Sequence, residues 1–151
     1  MSGALPELSS IEPLEYDEES QRLVARGDAR LDFKNTRIRA NRITYYQNFF
    51  LADASGNVAI SRDGGRLIAD RFSFESQENI FSADILRTGQ WPYYVGGISA
   101  GGTIENTEIQ GASLYYGNPS PYSLSISSDE VRYVIEEDGE YVSMDGATFR
   151  I

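Results

Sequence analysis

The chain has 151 residues, 40% of them hydrophobic, which is enough for one domain with a real core. Its 13 basic and 23 acidic residues give a net charge of -10, which argues against an extended phosphate-backbone contact and so against nucleic acid as a partner. Cysteine and histidine are both absent, which removes thiolate metal sites, Cys nucleophiles, Ser-His pairs and the commonest general base.

The opening MSGALPELSS lacks the basic region and apolar core of a secretory signal, and residues 1–12 are expected to form a flexible tail. No later run approaches the roughly 18 apolar residues of a membrane-spanning helix. EYDEESQRLVA reads as a strand end, an acidic turn and the start of another strand. From Gly27 to Lys34 small or apolar residues (Gly27, Ala29, Leu31, Phe33) alternate with charged ones (Asp28, Arg30, Asp32, Lys34), the period of two that defines a half-buried strand. After a turn at Asn35-Thr36 the alternation resumes with Ile38 and Ala40 on the apolar phase. It then slips at Arg42, and Ile43 and Tyr45 take over. A one-residue slip reverses every following side chain unless a bulge or corner absorbs it.

Residues 56–75 repeat residues 27–46 at an interval of 29: Gly27 with Gly56, Leu31 with Ile60, Ile38 with Leu67, Ala40 with Ala69, Ile43 with Phe72 and Tyr45 with Phe74. The slip recurs at Arg71, and Asp63-Gly64-Gly65 supplies turn chemistry. Each unit therefore reads as strand, turn, strand, corner, strand. Ala25, Ala54 and Ala83 keep the interval, after which GQWPYYVGG interrupts it, so an irregular loop is expected over residues 89–102. The spacing restarts with Thr107, Ile109, Gly111, Leu114 and Tyr116. The end of the chain reads as a hairpin about Asp138-Gly139 and an edge strand reaching Ile151. No segment has helical spacing, so the sequence predicts an all-β chain of stacked units, with residues 13–151 forming one domain.

The order L-x-Y-D, L-x-A-x-G-x-A-x-L, I-x-A-x-x-I-x-Y is carried here by Leu14, Tyr16 and Asp17, then Leu23, Ala25, Gly27, Ala29 and Leu31, then Ile38, Ala40, Ile43 and Tyr45. It resembles the OstA-like periplasmic domain of the lipopolysaccharide transport family, found in LptA, in LptC and at the N-terminus of LptD. The resemblance runs over about residues 13–116. It implies an elongated, open β-jelly roll of bent antiparallel sheets, in the periplasm, without catalysis or cofactor. It also implies an interior that shields the acyl chains of lipopolysaccharide or a related lipid. Sheet ends that pair edge to edge with other jelly rolls or further copies of the chain would form part of a bridge to the outer membrane. The groove-lining residues under this reading are Leu31, Phe33, Ile38, Ile43, Tyr45, Val58, Ile60, Leu67, Phe72, Phe74, Ile109, Leu114 and Tyr116. The same alternation also suits a closed core in which these side chains pack on one another.

Other patterns carry less. The acidic runs at Glu15, Asp17, Glu18, Glu19 and at Glu136, Glu137, Asp138, Glu140 lack calcium-loop spacing and read as solvated turns, so no metal site is expected. GGISAGGT lacks the lysine of a phosphate-binding loop. A β-helical polysaccharide-binding protein or polysaccharide-degrading enzyme is the alternative for a β-repeat chain. It would use two facing carboxylates, or Trp91, Tyr93 and Tyr94 stacked on sugar rings.

Overall fold

A computed structural model describes residues 6–62, 65–90, 93–103, 105–116, 125–144 and 147–150. Among these, twelve strands form a single sheet. They are β1 (Glu7–Ser9), β2 (Glu15–Asp17), β3 (Arg22–Phe33), β4 (Thr36–Tyr46), β5 (Leu51–Arg62), β6 (Gly65–Glu75), β7 (Ile80–Gln90), β8 (Tyr93–Thr103), β9 (Asn106–Tyr116), β10 (Ser125–Glu136), β11 (Gly139–Met144) and β12 (Ala147–Arg150). From β3 to β12 each strand pairs antiparallel with the next, while β1 and β2 lie end to end along the free side of β3. The all-antiparallel ladder is that of an open jelly roll. It excludes the parallel β-helix of the alternative reading.

The repeat and its phase slip have one cause. Pairing between β3 and β4 is interrupted between Arg26 and Ala29, and pairing between β5 and β6 between Ser55 and Val58. At those points Gly27 and Asp28 have φ of 77° and 45°, and Gly56 and Asn57 have φ of 79° and 50°. Two residues of one strand thus oppose one of its neighbour, a bulge that bends the sheet. On β4 the inward phase changes there from Thr36, Ile38 and Ala40 to Ile43 and Tyr45. On β6 it changes from Leu67 and Ala69 to Phe72 and Phe74.

The row of bulges is a crease that folds the sheet on itself. Phe33, in the half of β3 beyond the crease, meets Phe74, in the opposite half of β6, with ring centroids 6.2 Å apart. These residues are three strands apart in the sheet, so only a fold across the crease brings them together. The core lies between the two halves and includes Ala25, Ala54 and Ala83, each at most 3% exposed. Alanine at this shared position lets the halves approach where they converge, and burial of the apolar faces at about 25 cal/mol per Å² drives the closure.

The outer face carries the charges. Asp32 accepts hydrogen bonds from Arg30 at 2.7 Å and from Arg37 at 2.9 Å, and Arg39 lies 3.0 Å from Asp28. Partial burial works against ionisation of Asp32, but the two guanidinium donors outweigh it and hold its carboxyl below the ordinary range.

Three boundaries depart from the sequence reading. Residues 7–9, expected in a tail, form β1 and pair with Arg30, Leu31 and Asp32. The stretch 89–102, expected as an irregular loop, belongs to β7 and β8, whose hairpin pairs from Gln90 with Tyr93 through to Ile80 with Thr103; residues 91 and 92 lie outside the described residues. Its glycines fit a strand because neighbours occupy the space a side chain would need: a Cβ on Gly97 would collide with Cγ2 of Ile109. The first turn is Lys34-Asn35, flanked by the pair Phe33 and Thr36; of the expected second turn, residues 63 and 64 lie outside the described residues and Gly65 opens β6, paired with Arg62. The β10–β11 hairpin turns at Glu137-Asp138, between the paired Glu136 and Gly139.

Candidate functional site: the interior of the folded sheet

Inward-facing residues of β3 to β7 build a ladder of aromatic rings between the two halves. Phe33 contacts Phe74, Phe72 lies 6.4 Å from Phe74 and nearly parallel to it, and Phe81 stacks on Phe72 at 5.4 Å. Beside Phe72 and Phe81 the packing leaves a cavity of about 250 Å³. Ile60 and Leu67 line it from β5 and β6, and Tyr133 and Ile135 close it from β10. That volume equals about eight waters at roughly 30 Å³ each. It falls below the ~300–1,000 Å³ of a typical small-molecule pocket, so most of the interior is filled by side chains.

The mouth of the cavity is polar. Arg62 continues the inward phase of Val58 and Ile60 on β5, and its guanidinium reaches Glu105, at the start of β9, at 3.3 Å. This ion pair spans the two halves at the opening. The Arg62 side chain is 22% exposed and that of Glu105 50%, so the cation is the embedded member. On the far wall the Tyr133 hydroxyl donates to Glu140 at 2.6 Å. Burial and the adjacent Glu140 carboxylate together push the Tyr133 phenol well above its ordinary value. Arg66 and Thr88 complete the rim.

A second hollow of about 640 Å³ lies over β6 to β9 on the outward phase, lined by Ile68, Ile85, Tyr94 and Tyr115. Trp91 and the side chain of Tyr93 lie outside the described residues, and Tyr94 is half-buried. Gly96 to Thr103 belong to strand β8, not to a loop leading into a helix. The acidic turn after β2 is held by Asp17, which accepts from the Ser20 hydroxyl at 2.8 Å and from the Glu19 amide at 3.1 Å. Among the described residues no group of three acidic side chains is placed to hold a metal ion.

The thirteen residues expected in the groove divide as follows. Leu31, Phe33, Ile38, Ile43, Tyr45, Val58, Ile60, Phe72, Phe74 and Ile109 are buried between the halves. Leu67 and Leu114 are partly buried and pack against that core, with Leu67 also on the cavity wall. Tyr116 is 58% exposed. It continues the inward phase of Ala112 and Leu114 and pairs with Tyr93 of β8 at the end of β9. Only Ile60, Leu67 and Phe72 of the thirteen touch the cavity itself.

Phe81, Tyr133, Ile135 and the Arg62–Glu105 pair also line the cavity and are not among the residues expected from the sequence. Phe81 shares its phase with Ala83, whose 29-residue spacing marks it as inward, so that signal was present. The mouth pair joins residues 43 positions apart and has no local signature.

No protein-family model and no curated protein sequence matches the chain. The architecture is that of the open antiparallel jelly roll of LptA-type proteins. Among solved structures the chain is similar to LptH from Pseudomonas aeruginosa, described as the LptA-homologous periplasmic component of the conserved lipopolysaccharide transport device. The two share 13% identity with a TM-score of 0.61, over 81% of this chain and 94% of that one. At this identity the likeness establishes the fold.

Proposed function

We propose that the chain is a non-catalytic, periplasmic lipid-binding domain that shields the acyl chains of lipopolysaccharide or a related lipid between the halves of its folded sheet. In this reading the ends of the sheet pair with other jelly rolls to form part of a bridge to the outer membrane. The observation that carries it is the open cavity beside Phe72 and Phe81, with Ile60, Leu67 and Ile135 among its apolar lining and Arg62, Arg66, Thr88 and Glu105 among its polar lining. Tails bound there leave water at about 25 cal/mol per Å² while their head groups stay at the mouth. The likeness to LptH supports the same reading through the fold.

A larger, multiply acylated lipid needs the halves to separate, because the closed interior has room for one slender chain. The crease permits this: an open sheet has no second edge to break when its halves swing apart. The test is photocrosslinking to purified lipopolysaccharide from a photoreactive residue at Leu67, on the cavity wall, with Ser82, outward on β7, as control. Adducts at Leu67 and none at Ser82 support the reading. No adduct at either position, with the fold intact by circular dichroism, means the interior is a closed core.

A further inference from the structure

The outer face of the sheet holds a hollow that the acyl groove does not use. It lies over β6 to β9, and its volume of about 640 Å³ falls within the ~300–1,000 Å³ of small-molecule pockets. The strand register builds it in two adjoining rows. In one, Ile68, Arg87, Gly96 and Ser113 follow one another across the four strands; in the next, Tyr94 of β8 stands directly opposite Tyr115 of β9. Gly96 adds no side chain, so the first row dips between Arg87 and Ser113. The Tyr115 ring leans over the dip: a Cβ on Gly96 would lie 3.7 Å from its Cε2.

In a chain of net charge -10 this hollow is positive. Arg66 and Arg87 line it, and no acidic side chain does among the described residues. Elsewhere on the outer face arginines are matched with acids, as Arg30 and Arg37 are with Asp32 and Arg39 is with Asp28. Arg66 and Arg87 have no ion-pair partner among the described residues. Arg66 also borders the inner cavity, whereas Arg87 lines the hollow and not that cavity. The hydroxyls of Tyr94 and Tyr115 likewise have no hydrogen-bond partner among the described residues, while those of Tyr133 and Tyr141 donate to carboxylates.

Ile85 lines the same hollow, and its backbone is strained. It comes 29 residues after Gly56, at the crease position that glycine holds in both earlier units. Its φ of 51° lies in the left-handed region, which a β-branched residue rarely adopts. The side chain is 58% exposed, so packing in the free protein does little to offset that strain. Strained backbone of this kind clusters where ligands are held.

We infer that the hollow binds an acidic saccharide, a pyranose ring bearing a phosphate or a carboxylate. The C–H face of the ring lies against Tyr94 and Tyr115, whose bodies are apolar and whose free hydroxyls meet the hydroxyls of the sugar. Arg87 and Arg66 take the anion, which the planar guanidinium matches bidentately. Ile68 and Ile85 supply the remaining apolar contact. A bare anion would leave the tyrosines and isoleucines without a role, and an alkyl chain would leave the arginines without one. The site is on the opposite side of the sheet from the acyl groove, so it goes beyond that reading and stands or falls separately from it.

The test is an amide NMR titration of the intact chain with glucuronate and with a glucose phosphate, with glucose as the neutral counterpart and inorganic phosphate as the bare anion. The amides of Gly96 and Ser113 are expected to shift, and that of Tyr133, at the inner cavity, to stay in place. At least one of the acidic sugars is expected to bind about tenfold more tightly than glucose, a difference of about 1.4 kcal/mol. Arg87→Gln, at an exposed position, should remove that preference, and Tyr115→Leu should weaken every sugar several-fold. Ile85→Gly should raise the melting temperature and yet weaken the acidic sugars, a combination that a merely structural role would not produce. Equal binding of glucose and the acidic sugars, or a preference that survives Arg87→Gln, overturns the inference. Inorganic phosphate binding as tightly as the glucose phosphate overturns it in favour of a bare anion site, and so does the absence of any shift at Gly96 and Ser113. Crosslinking of lipopolysaccharide from Leu67 reads the interior and is expected to be the same in Arg87→Gln, so failure here is distinguishable from failure of the groove.

Discussion

Phe33 and Phe74 are 41 residues apart in the chain and meet with ring centroids at 6.2 Å, one from each half of the folded sheet. Because Phe74 also contacts Phe72, this contact ties the closure to the wall of the cavity. Phe74 is 1% exposed. Phe74→Ala is expected to cost about 3–5 kcal/mol in denaturant unfolding, as for large-to-small changes in other cores. The space it opens adjoins Phe72, so amphiphile uptake by the variant should rise under conditions where it stays folded. A loss below about 1 kcal/mol would mean that the halves do not depend on this contact.

The crease makes a second prediction. Gly56 has φ of 79°, and a Cβ built there would lie 2.6 Å from Nδ2 of Asn41. Gly56→Ala therefore meets both backbone strain and a clash, and is expected to destabilise by about 1–3 kcal/mol. Gly96 is the control: its φ is ordinary, and an added Cβ would meet nothing nearer than 3.6 Å. Gly96→Ala should stay within about 0.5 kcal/mol of the parent. Equal effects at both positions would remove the left-handed bulge as the reason the repeat begins with glycine.

The contrast between these glycines shows which parts of the fold were readable. Strands β3 to β6 were, because both their alternation and the fault in it recur at 29 residues, and a fault that recurs is a corner. Gly27 and Gly56 marked that corner without revealing that it folds the sheet closed. β8 was misread because Gly96, Gly97, Gly101 and Gly102 contribute no hydropathy to a pattern, and the reason Gly97 must be glycine lies on β9, in Ile109. β1 is three residues long and owes its conformation to β3. The groove residues could be read as inward-facing, since inwardness is a property of phase. Which of them border empty space depends on how the halves meet, and no local spacing encodes that.

Tyr133 connects the mouth to pH. Its phenol is raised above the ordinary 10.0 by burial first and by Glu140 second. A group whose folded pKa is raised contributes stability that is fully present below its unfolded pKa and is lost as pH rises toward the folded value. The fold should therefore hold its stability up to about pH 10 and lose it above that. Tyr45, raised mainly by burial, adds to the same decline. In Tyr133→Phe the alkaline decline should be shallower, while stability at neutral pH falls by about 1–2 kcal/mol with the loss of the hydrogen bond to Glu140. Urea unfolding at stepped pH measures both, and an alkaline limb unchanged by the substitution would show that Tyr133 titrates as it does in the unfolded chain.

Pairing between copies, the other half of the proposed function, is governed by the charges at the ends of the sheet. The N-terminal edge strands β1 and β2 carry Glu7, Glu15 and Asp17 with no basic residue. At the other end, where the sheet order finishes with β11 and β12, the part of β10 from Ser125 to Glu130 pairs with β9 but, among the described residues, not with β11, and it carries Asp129 and Glu130. Bringing one copy's β1–β2 edge to another's β10 therefore sets like charges side by side. Added salt shortens the Debye length from about 30 Å at 0.01 M to about 3 Å at 1 M. Self-association, followed by light scattering on a sizing column, should consequently strengthen with salt, the reverse of an ion-pair interface. Glu7→Lys reverses one charge of the N-terminal edge and should promote association at low salt. If salt weakens association instead, or the Lys variant stays monomeric where the parent associates, the copies do not meet through these edges. A partner with a basic edge strand would then be the better candidate for the sheet's continuation.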